Sequence, residues 1–289
     1  MYKVKSEIYE ETNYSTIKVD NGRVLSKFKF TYPPEVDAET TITLHNGINT
    51  DKDGDLVVKR KAHAKRSGVI QIEHSEATEL RLVGLQVWRG ALLLADYIFH
   101  KHEEFCNMSV LELGAGVGLT SIAAAIYSSN VVCTDVNVGG ILDLIRANIK
   151  HNTELFKIPN SINVLEFDFL QPLQDYSGEL LETIDNCDVV VAADVIYDDT
   201  LTDAFINVMD TLFERGNLIR KGKTIYIALE KRYVFTLAEM DTVAPMFEYF
   251  LRKSMHKSWK IEYIATDFPQ YFEYERSRHL VMLKVTYNK

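Results

Sequence analysis

Three alternating glycines indicate where this chain could carry out chemistry. Gly114, Gly116 and Gly118 follow the apolar residues 110–113 and precede a helix-forming run. Glycine permits a tight turn, a positive φ and a close approach of the backbone to a ligand. A strand, a glycine-rich turn and a helix N-terminus together offer backbone N–H groups and the positive end of a helix dipole. We therefore predict that this turn binds the polar part of a nucleotide-like molecule.

The spacing of these glycines distinguishes between ligands. A dinucleotide-binding turn has the pattern G-x-G-x-x-G, whereas this chain has G-x-G-x-G with Glu112 before it. The shorter spacing, together with Glu112, favours S-adenosylmethionine over NAD. A tight turn that binds nothing is the alternative, and the strand–helix–strand context makes it the weaker one.

Polar and aromatic residues also follow the next two predicted strands. Asp135 can accept both hydroxyls of a ribose, and Val136 can offer an apolar face to an adenine. Asp168 can accept from an exocyclic amino group while Phe169 packs near the ring. A turn residue flanked by core aromatics is an equally open interpretation of Asp168. For Asp135, helix capping is the weaker alternative, because Asn137 can cap equally well.

Asp194 and Tyr197 follow the fourth predicted strand, above the expected position of a methyl donor. Methyl transfer to a lysine requires the neutral amine, and the reference pKa of lysine is about 10.4. The site must therefore capture the free base and orient its lone pair. Asp194 can hydrogen-bond the amine, and Tyr197 can present its ring face to a desolvated cation. Capping of the next helix is the alternative, and it fits Asp198 or Asp199 better than Asp194.

The elements that position these residues alternate between strand and helix. Seven strands are predicted, at residues 109–113, 131–134, 162–167, 188–193, 224–229, 259–265 and 280–287. The alternation predicts an α/β fold with a doubly wound, mostly parallel sheet. No helix fits between the last two strands, so the last strand should run antiparallel. Ligands of such sheets bind beyond the carboxyl ends of the strands, where the candidate residues fall.

Two further helices are predicted from local patterns. Residues 85–99 are too apolar for a surface helix, so we expect a buried helix that lies across the sheet. Residues 236–239 (Thr-Leu-Ala-Glu) form a capping box that should open another helix, kinked at Pro245. The predicted core face of that helix comprises Met240, Val243 and Phe247.

The N-terminal part of the chain is β-leaning and carries none of these motifs. Phe28 and Phe30 alternate with lysines, which is typical of a half-exposed strand. We predict a β-rich N-terminal extension over residues 1–66 and the α/β domain over residues 67–289. Residues 59–66 contain five basic residues in eight, and they are either a nuclear localisation signal or a solvated loop.

Composition narrows the class of partner. The net charge of −9 disfavours direct binding to nucleic acid, which needs a basic field. The three cysteines form no C-x-x-C pair, as expected in a reducing compartment. His and Cys spacings indicate no metal site, and no run of about 18 apolar residues predicts a membrane span. We expect a monomer in the nucleus, the cytoplasm or both.

The glycine turn and the residues after the next strands resemble those of the seven-strand methyltransferases. The matching segments are Val-Leu-Glu-Leu-Gly-Ala-Gly-Val-Gly-Leu at 110–119, Thr-Asp-Val at 134–136 and Ala-Asp-Val-Ile-Tyr at 193–197. Residues 84–91 (Gly-Leu-Gln-Val-Trp-Arg-Gly-Ala) resemble the Val-Trp element of methyltransferase family 16, the protein lysine methyltransferases. Residues 197–203 and 229–232 narrow the resemblance to the methyltransferase-like protein 22 group.

The resemblance covers residues 67–289 and implies a Rossmann-like methyltransferase fold. The implied cofactor is S-adenosyl-L-methionine, with S-adenosyl-L-homocysteine as product. The implied donor contacts are Trp88, Gly114, Ala115, Gly116, Asp135, Phe169 and Ala193. The family often has a tryptophan where Phe169 stands, so that contact is changed but still aromatic. Asp194 and Tyr197 match the family's Asp-x-x-Tyr signature and are the implied catalytic residues.

The implied activity is N-methylation of a lysine on a non-histone protein, in this group a nuclear protein associated with nucleic acid. A nucleic-acid or small-molecule acceptor on the same fold is one alternative. Nucleic-acid amino-methyltransferases have prolines where this chain has Val195 and Ile196, which disfavours that class. A donor-binding interaction module without catalysis is the other alternative.

Overall fold

The structure is a computed structural model, and it describes residues 3–11, 16–19, 22–34, 66–236 and 241–288 of the 289-residue chain. Its strands are β1 (Ile17–Lys18), β2 (Val24–Thr31), β3 (Ser67–His74), β4 (Ser109–Leu113), β5 (Asn130–Asp135), β6 (Ile162–Glu166), β7 (Val189–Ala193), β8 (Thr224–Glu230), β9 (Val234–Thr236), β10 (Asp241–Val243), β11 (Trp259–Ile264) and β12 (Leu280–Tyr287). Its α-helices are α1 (Ile8–Glu11), α2 (Arg89–His100), α3 (His102–Phe105), α4 (Leu119–Ala125), α5 (Ile141–His151), α6 (Gly178–Asn186), α7 (Asp199–Leu218) and α8 (Pro245–Ser254). Of the basic run predicted at residues 59–66, all but Arg66 lies outside the described residues.

A seven-stranded sheet forms the centre of the described chain, and its order is β11-β12-β8-β7-β4-β5-β6. β4 pairs in parallel with β5 and β7, and β12 runs antiparallel to both of its neighbours. The predicted doubly wound, mostly parallel sheet with an antiparallel last strand is confirmed. The chain runs outward from β4 to β6 and then returns to β7, so the order reverses between β4 and β7. Open α/β sheets bind ligands at such a point.

Helices cover both faces of this sheet because its central strands are apolar throughout. β4 and β7 are buried along nearly their whole lengths, as expected of parallel strands covered on both sides. α2, α4 and α5 contribute to the apolar layer on one face. α6, α7 and α8 contribute to the layer on the other face. Polar side chains therefore converge at the ends of the strands.

A second, three-stranded sheet of order β1-β2-β3 precedes the central sheet. Phe28 and Phe30 are buried in β2, while Lys27 and Lys29, which alternate with them, are exposed, so the strand predicted there is confirmed. β2 pairs with β3 over its full length, from Val24 opposite His74 to Thr31 opposite Ser67. Residues on both sides of the predicted domain boundary at residue 66 therefore share one sheet, and that boundary stays a prediction.

The predicted helix at residues 85–99 starts too early. α2 begins at Arg89, and Leu80–Leu85 forms a short 3-10 helix instead. The backbone of Gln86 and Trp88 between them is extended, with φ near −119° at each. Tertiary hydrogen bonds replace the helical ones here, since the Val87 N–H donates to the Tyr9 hydroxyl. Residues 80–100 have the length and composition of a membrane span, but 67% of their apolar 18-residue window is buried in the protein, as in a core helix.

Of the capping box predicted at residues 236–239, only Thr236 is described, and it ends β9; residues 237–239 lie outside the described part of the chain. β9 and β10 pair there as an antiparallel hairpin, and α8 begins only at Pro245. Proline fits the first turn of a helix without a kink because its missing N–H would have no partner there. Phe247 is buried in α8 as predicted, whereas Val243 belongs to β10 and Met240 lies outside the described residues. Backbone pairing across the hairpin outweighed the local capping pattern.

Candidate active site

A cavity opens at the carboxyl ends of β4, β5 and β7. It contains about 1040 Å³ of free space, including the solvent at its mouth, which is sufficient for a nucleoside-sized ligand. The predicted site residues that line it are Trp88, Gly114, Ala115, Gly116, Asp135, Val136, Asp168, Phe169, Ala193, Asp194 and Tyr197. The parallel sheet thus brings together residues that are up to 109 positions apart in sequence, from Trp88 to Tyr197.

The glycine turn forms the floor of this cavity. Gly114, Gly116 and Gly118 all adopt positive φ, at 62°, 58° and 82°. A Cβ on Gly116 would lie 2.9 Å from the carbonyl oxygen of Gly84, so glycine is required there for close approach as well as for φ. The Ala115 N–H donates to the Thr134 carbonyl at 2.9 Å. The turn is therefore held partly by its own contacts.

Asp135 at the end of β5 is the polar centre of the cavity. Its two carboxylate oxygens accept the N–H groups of Gly116 and Val136, each at 2.7 Å. Burial raises the pKa of Asp135 to about 6, against the lowering effect of these two N–H groups. The group is therefore mainly a carboxylate above that pH. A carboxylate has about four acceptor positions, so Asp135 can still accept from a ligand.

Phe169 and Asp168 form an aromatic and polar side of the cavity. The Phe169 ring lies edge-on to Phe167, with 5.6 Å between the ring centroids. Asp168 accepts the N–H of Leu170 at 2.9 Å, so it both caps a turn and lines the cavity. Both interpretations of Asp168 are therefore compatible with its position.

Asp194 connects two elements at the carboxyl end of β7. Its carboxylate accepts the Gly90 N–H at 2.7 Å and the Glu230 N–H at 2.9 Å. A Cβ on Gly90 would lie 2.5 Å from the Asp194 Oδ2 atom, so α2 can approach only because this residue is glycine. Asp194 itself has φ of 53°, a sparsely populated region for a non-glycine residue. Burial raises its pKa, opposed by the Glu230 N–H and the charge of Arg232.

Two further aromatic residues line the cavity, Tyr197 of the predicted acceptor side and Trp88 of the predicted donor contacts. Tyr197 is 39% exposed, and burial of its hydroxyl raises its pKa to about 12. The phenol is therefore neutral at physiological pH. The Trp88 Nε1–H donates to the Val83 carbonyl at 2.9 Å, and the Arg232 guanidinium lies 4.7 Å from the Trp88 ring centroid. Asp198 caps α7 by accepting the Leu201 N–H, which is the capping role expected for it.

Glu112 is the predicted site residue that does not line the cavity. It is 1% exposed, and its carboxylate accepts a hydrogen bond from the Ser121 hydroxyl of α4. Burial raises the pKa of Glu112 to about 7. Its side chain therefore joins β4 to α4 instead of facing the cavity.

Part of the cavity lies outside the predicted contacts. Residues 81–88, of which only Trp88 was a predicted contact, form one wall, and Val138, Ile141 and Leu201 close the apolar sides. The signal for the wall was the Val-Trp element at residues 84–91. Among the described residues, no group of three or more His, Cys, Asp or Glu side chains is arranged to hold a metal ion.

Comparison of the sequence with known proteins identifies its family. The sequence profile of the lysine methyltransferase family matches residues 65–243. This chain belongs to that family. Methyltransferase-like protein 22 of Mus musculus is 35% identical over 84% of this chain and 65% of its own length. The Homo sapiens protein of the same name is 36% identical over 80% of this chain and 61% of its own length.

A more distant relative is protein N-lysine methyltransferase METTL21A of Mus musculus. It is 31% identical over 60% of this chain and 75% of its own length. The chain spans 61% to 65% of the length of the two methyltransferase-like protein 22 relatives. The matched family segment contains all the residues predicted to form the site, from Trp88 to Tyr197.

The cavity has the chemistry that S-adenosylmethionine requires. A Cβ on Gly114 would lie 3.6 Å from the Phe169 Cζ atom and 2.8 Å from the Val195 Cγ1 atom. A side chain at position 114 would therefore fill the space between the turn and the aromatic ring. A carboxylate, an aromatic ring and a glycine-rich turn occur together in this cavity.

Proposed function

We propose that this chain is an S-adenosylmethionine-dependent N-lysine methyltransferase that acts on a non-histone protein. The observation that carries the proposal is that one cavity contains both predicted groups of residues. The glycine turn, Asp135 and Phe169 are the donor group, and Asp194 and Tyr197 are the acceptor group. Membership of the lysine methyltransferase family supports the same activity.

The chain's contribution on the donor side is binding and alignment. S-adenosylmethionine, when bound, supplies a methyl group on a sulfonium, which is already a good electrophile. Gly114 and Gly116 leave room for the methionine part, and Asp135 accepts from the ribose. Asp168 and Phe169 face the adenine. Exclusion of water by the apolar sides then favours transfer to the intended acceptor.

On the acceptor side, the lysine must lose a proton to solvent before its nitrogen lone pair can attack. Asp194 has lone pairs left beyond the two that Gly90 and Glu230 use, so it can accept from the amine. Tyr197 cannot serve as a base at neutral pH, because its pKa is raised to about 12. Its neutral hydroxyl and its ring face orient the amine instead.

The test is methyl transfer from radiolabelled donor into cell lysate. Label should remain after nuclease treatment, disappear after protease treatment and appear as N-methyl-lysine in mass spectrometry. Tyr197→Phe should lower the rate by about 5- to 10-fold, since it removes one hydrogen bond. Tyr263→Phe is the matched control, because Tyr263 is 60% exposed on the outer strand β11.

Two outcomes would contradict the proposal in different ways. Label that survives protease and is lost to nuclease would indicate a nucleic-acid acceptor. Donor binding in calorimetry without product in any lysate fraction would indicate a binding module without catalysis.

We also propose that the acceptor is a nuclear protein associated with nucleic acid. The nucleic-acid association rests on the resemblance to the methyltransferase-like protein 22 group, and the nuclear location rests on the run of five basic residues at 59–66, which is typical of a nuclear localisation signal. A fluorescent fusion should lose nuclear signal when these five residues are changed to alanine. An unchanged nuclear fraction would reject the signal.

A further inference from the structure

The first described residues of the chain lie beside the cavity, although they are remote from it in sequence. Residues 3–11, here called the N-terminal arm, contact the segment that ends in residues 81–88, here called the cavity wall. The arm begins with a β-bridge in which Val4 and Thr78 exchange two backbone hydrogen bonds, at 2.7 and 2.9 Å.

Gln86 of the cavity wall is fastened to the arm by its side chain. Its Oε1 atom accepts the Ser6 N–H at 2.8 Å, and its Nε2 group donates to the Val4 carbonyl at 3.1 Å. The same Nε2 group donates to the Thr78 hydroxyl at 2.7 Å. Gln86 and Ser6 are each 1% exposed, so these bonds are made away from water. A buried amide of this kind is costly to leave without partners.

Val87 of the wall depends on the arm for its backbone hydrogen bond. Its N–H donates to the Tyr9 hydroxyl at 2.7 Å. The Tyr9 ring stacks on His74, with centroids 4.5 Å apart and planes 6° from parallel, which fixes the position of that hydroxyl. The Gln86 N–H donates to the Val83 carbonyl at 3.1 Å, whereas the Val87 N–H finds its acceptor in the arm. The arm therefore supplies this fixed partner.

Arg89, directly after the wall, joins the arm to the acceptor side of the cavity. Its guanidinium pairs with Glu7 at 2.8 Å, with Glu11, and with Glu230 at 2.7 Å. The Glu230 N–H donates to Asp194, as does the N–H of Gly90. Two carboxylates of the arm therefore bind Arg89, which directly precedes Gly90 and pairs with the side chain of Glu230.

The wall also touches the glycine turn. The Gly84 carbonyl lies so close to Gly116 that a Cβ there would approach it to 2.9 Å. A displacement of the wall would therefore widen the cavity beside the turn and remove a boundary of the proposed donor site.

We propose that the N-terminal arm is a positioning element of the donor site. It holds the wall against the glycine turn before the donor binds, and this rests on the function proposed above. If the arm is loosened, a smaller fraction of molecules has the wall in place. The apparent Kd then rises in inverse proportion to that fraction.

The test compares two tyrosine variants that each lose a hydroxyl group. Tyr9→Phe removes the acceptor of the Val87 N–H and keeps the ring that stacks on His74. The matched control is Tyr226→Phe, whose hydroxyl donates to Glu104 at 3.3 Å, outside the residues that line the cavity. Calorimetry with S-adenosylhomocysteine should show a Kd about 5- to 10-fold higher for Tyr9→Phe. Tyr226→Phe should bind like the wild type.

A second pair changes the backbone donor of the arm. Ser6→Pro removes the N–H that Gln86 accepts, whereas Ser6→Ala keeps it. Ser6→Pro should weaken binding at least as much as Tyr9→Phe, and Ser6→Ala should restore affinity close to the wild type. Without ligand, amide hydrogen exchange at residues 82–85 should be faster in Tyr9→Phe than in Tyr226→Phe.

The outcomes separate this inference from the function on which it rests. A wild-type chain that does not bind S-adenosylhomocysteine contradicts the proposed function. Wild-type binding that is unchanged by Tyr9→Phe and Ser6→Pro overturns the role of the arm and leaves the function intact. An equal loss of affinity in Tyr226→Phe overturns it too, because the effect would then be general destabilisation.

Discussion

Asp135→Asn probes the proposed donor site at the residue where its geometry is best defined. The two carboxylate oxygens accept the N–H groups of Gly116 and Val136, each at 2.7 Å. Asparagine has one acceptor oxygen, and its NH₂ group would face one of these N–H donors. The substitution therefore removes the charge offered to the ribose and one support of the glycine turn, with almost no change in volume.

The expected loss follows from the value of one charge-assisted hydrogen bond. Such a bond contributes about 1.5–3 kcal/mol. Since about 1.4 kcal/mol corresponds to a tenfold change, the Kd should rise by about 10- to 100-fold. The pKa of about 6 adds a second expectation. Protonation below that pH removes an acceptor, so wild-type affinity should fall from pH 8 to pH 5.

Calorimetric titration with S-adenosylhomocysteine measures both effects. Asp135→Asn should bind weakly at both pH values, with little of the wild-type pH dependence. Asp143→Asn is the matched control, because the Asp143 side chain is 87% exposed on α5 and pairs only with Arg146 among the ion pairs of the described residues. Thermal unfolding without ligand shows whether each variant is folded.

The reasoning would be refuted by a folded Asp135→Asn variant whose Kd stays within about twofold of the wild type, a change of under about 0.5 kcal/mol. That result would mean that the carboxylate serves the turn alone and does not contact the ligand. A Kd that rises equally in Asp143→Asn would also refute it, since the cause would then be net charge.

Three further predictions concern folding. Burial raises the pKa of Glu112 from 4.5 to about 7. Between these two pH values the unfolded chain has released the proton while the folded chain retains it. The free energy of unfolding therefore falls as pH rises through that window. The free energy of unfolding of Glu112→Gln minus that of the wild type should therefore rise by about 3 kcal/mol from pH 5 to pH 8. Urea titration at both pH values measures this difference, and a difference that does not change with pH would contradict the prediction. Gly90→Ala should destabilise the fold by about 1–3 kcal/mol, because the added Cβ would lie 2.5 Å from Asp194 Oδ2. Gly222→Ala, with no atom within 4 Å of the added Cβ, is its control in thermal unfolding, and equal melting temperatures would reject the prediction. Asp96→Asn should cost about 3–5 kcal/mol in urea unfolding, because it breaks a buried ion pair between the fully buried Asp96 and Arg276, 2.5 Å apart. The exposed Asp267→Asn is the control, and a loss no larger than in that control would show that Arg276 does not depend on Asp96.

The central strands were predictable because their pattern is local and unambiguous. The predicted bounds of β4 and β12 are those observed, β5 differs by one residue at each end, and the other central strands differ by one residue at one end. Continuous apolar runs bounded by polar residues have few other ways to be buried. The short capping pattern at residues 236–239 is weaker, because Thr236, its first residue, pairs with Asp241 in the β9–β10 ladder.

The residues at the floor of the candidate site were predictable from the same strand pattern. Residues directly after parallel strands must meet at one edge of the sheet, whatever the details of packing. Asp135, Phe169 and Asp194 were therefore placed together by their positions in the chain alone. Their use as donor or acceptor contacts stays a prediction, which the binding and transfer experiments test.

The wall of the cavity and the partners of its polar groups depended on contacts between distant residues. Nothing in the local pattern of residues 80–88 indicates that Gln86 will bond to Ser6, which is 80 positions earlier. The sequence alone determined the glycine turn, its spacing and the residues that follow each strand. These were predictable because the position of a residue along a strand fixes where it lies in the sheet. Only the tertiary structure decided three features: the backbone groups that bind Asp194, the direction of the Glu112 side chain and the contacts of the N-terminal arm with the cavity wall. Hydrogen bonds between distant segments form only after the chain has packed.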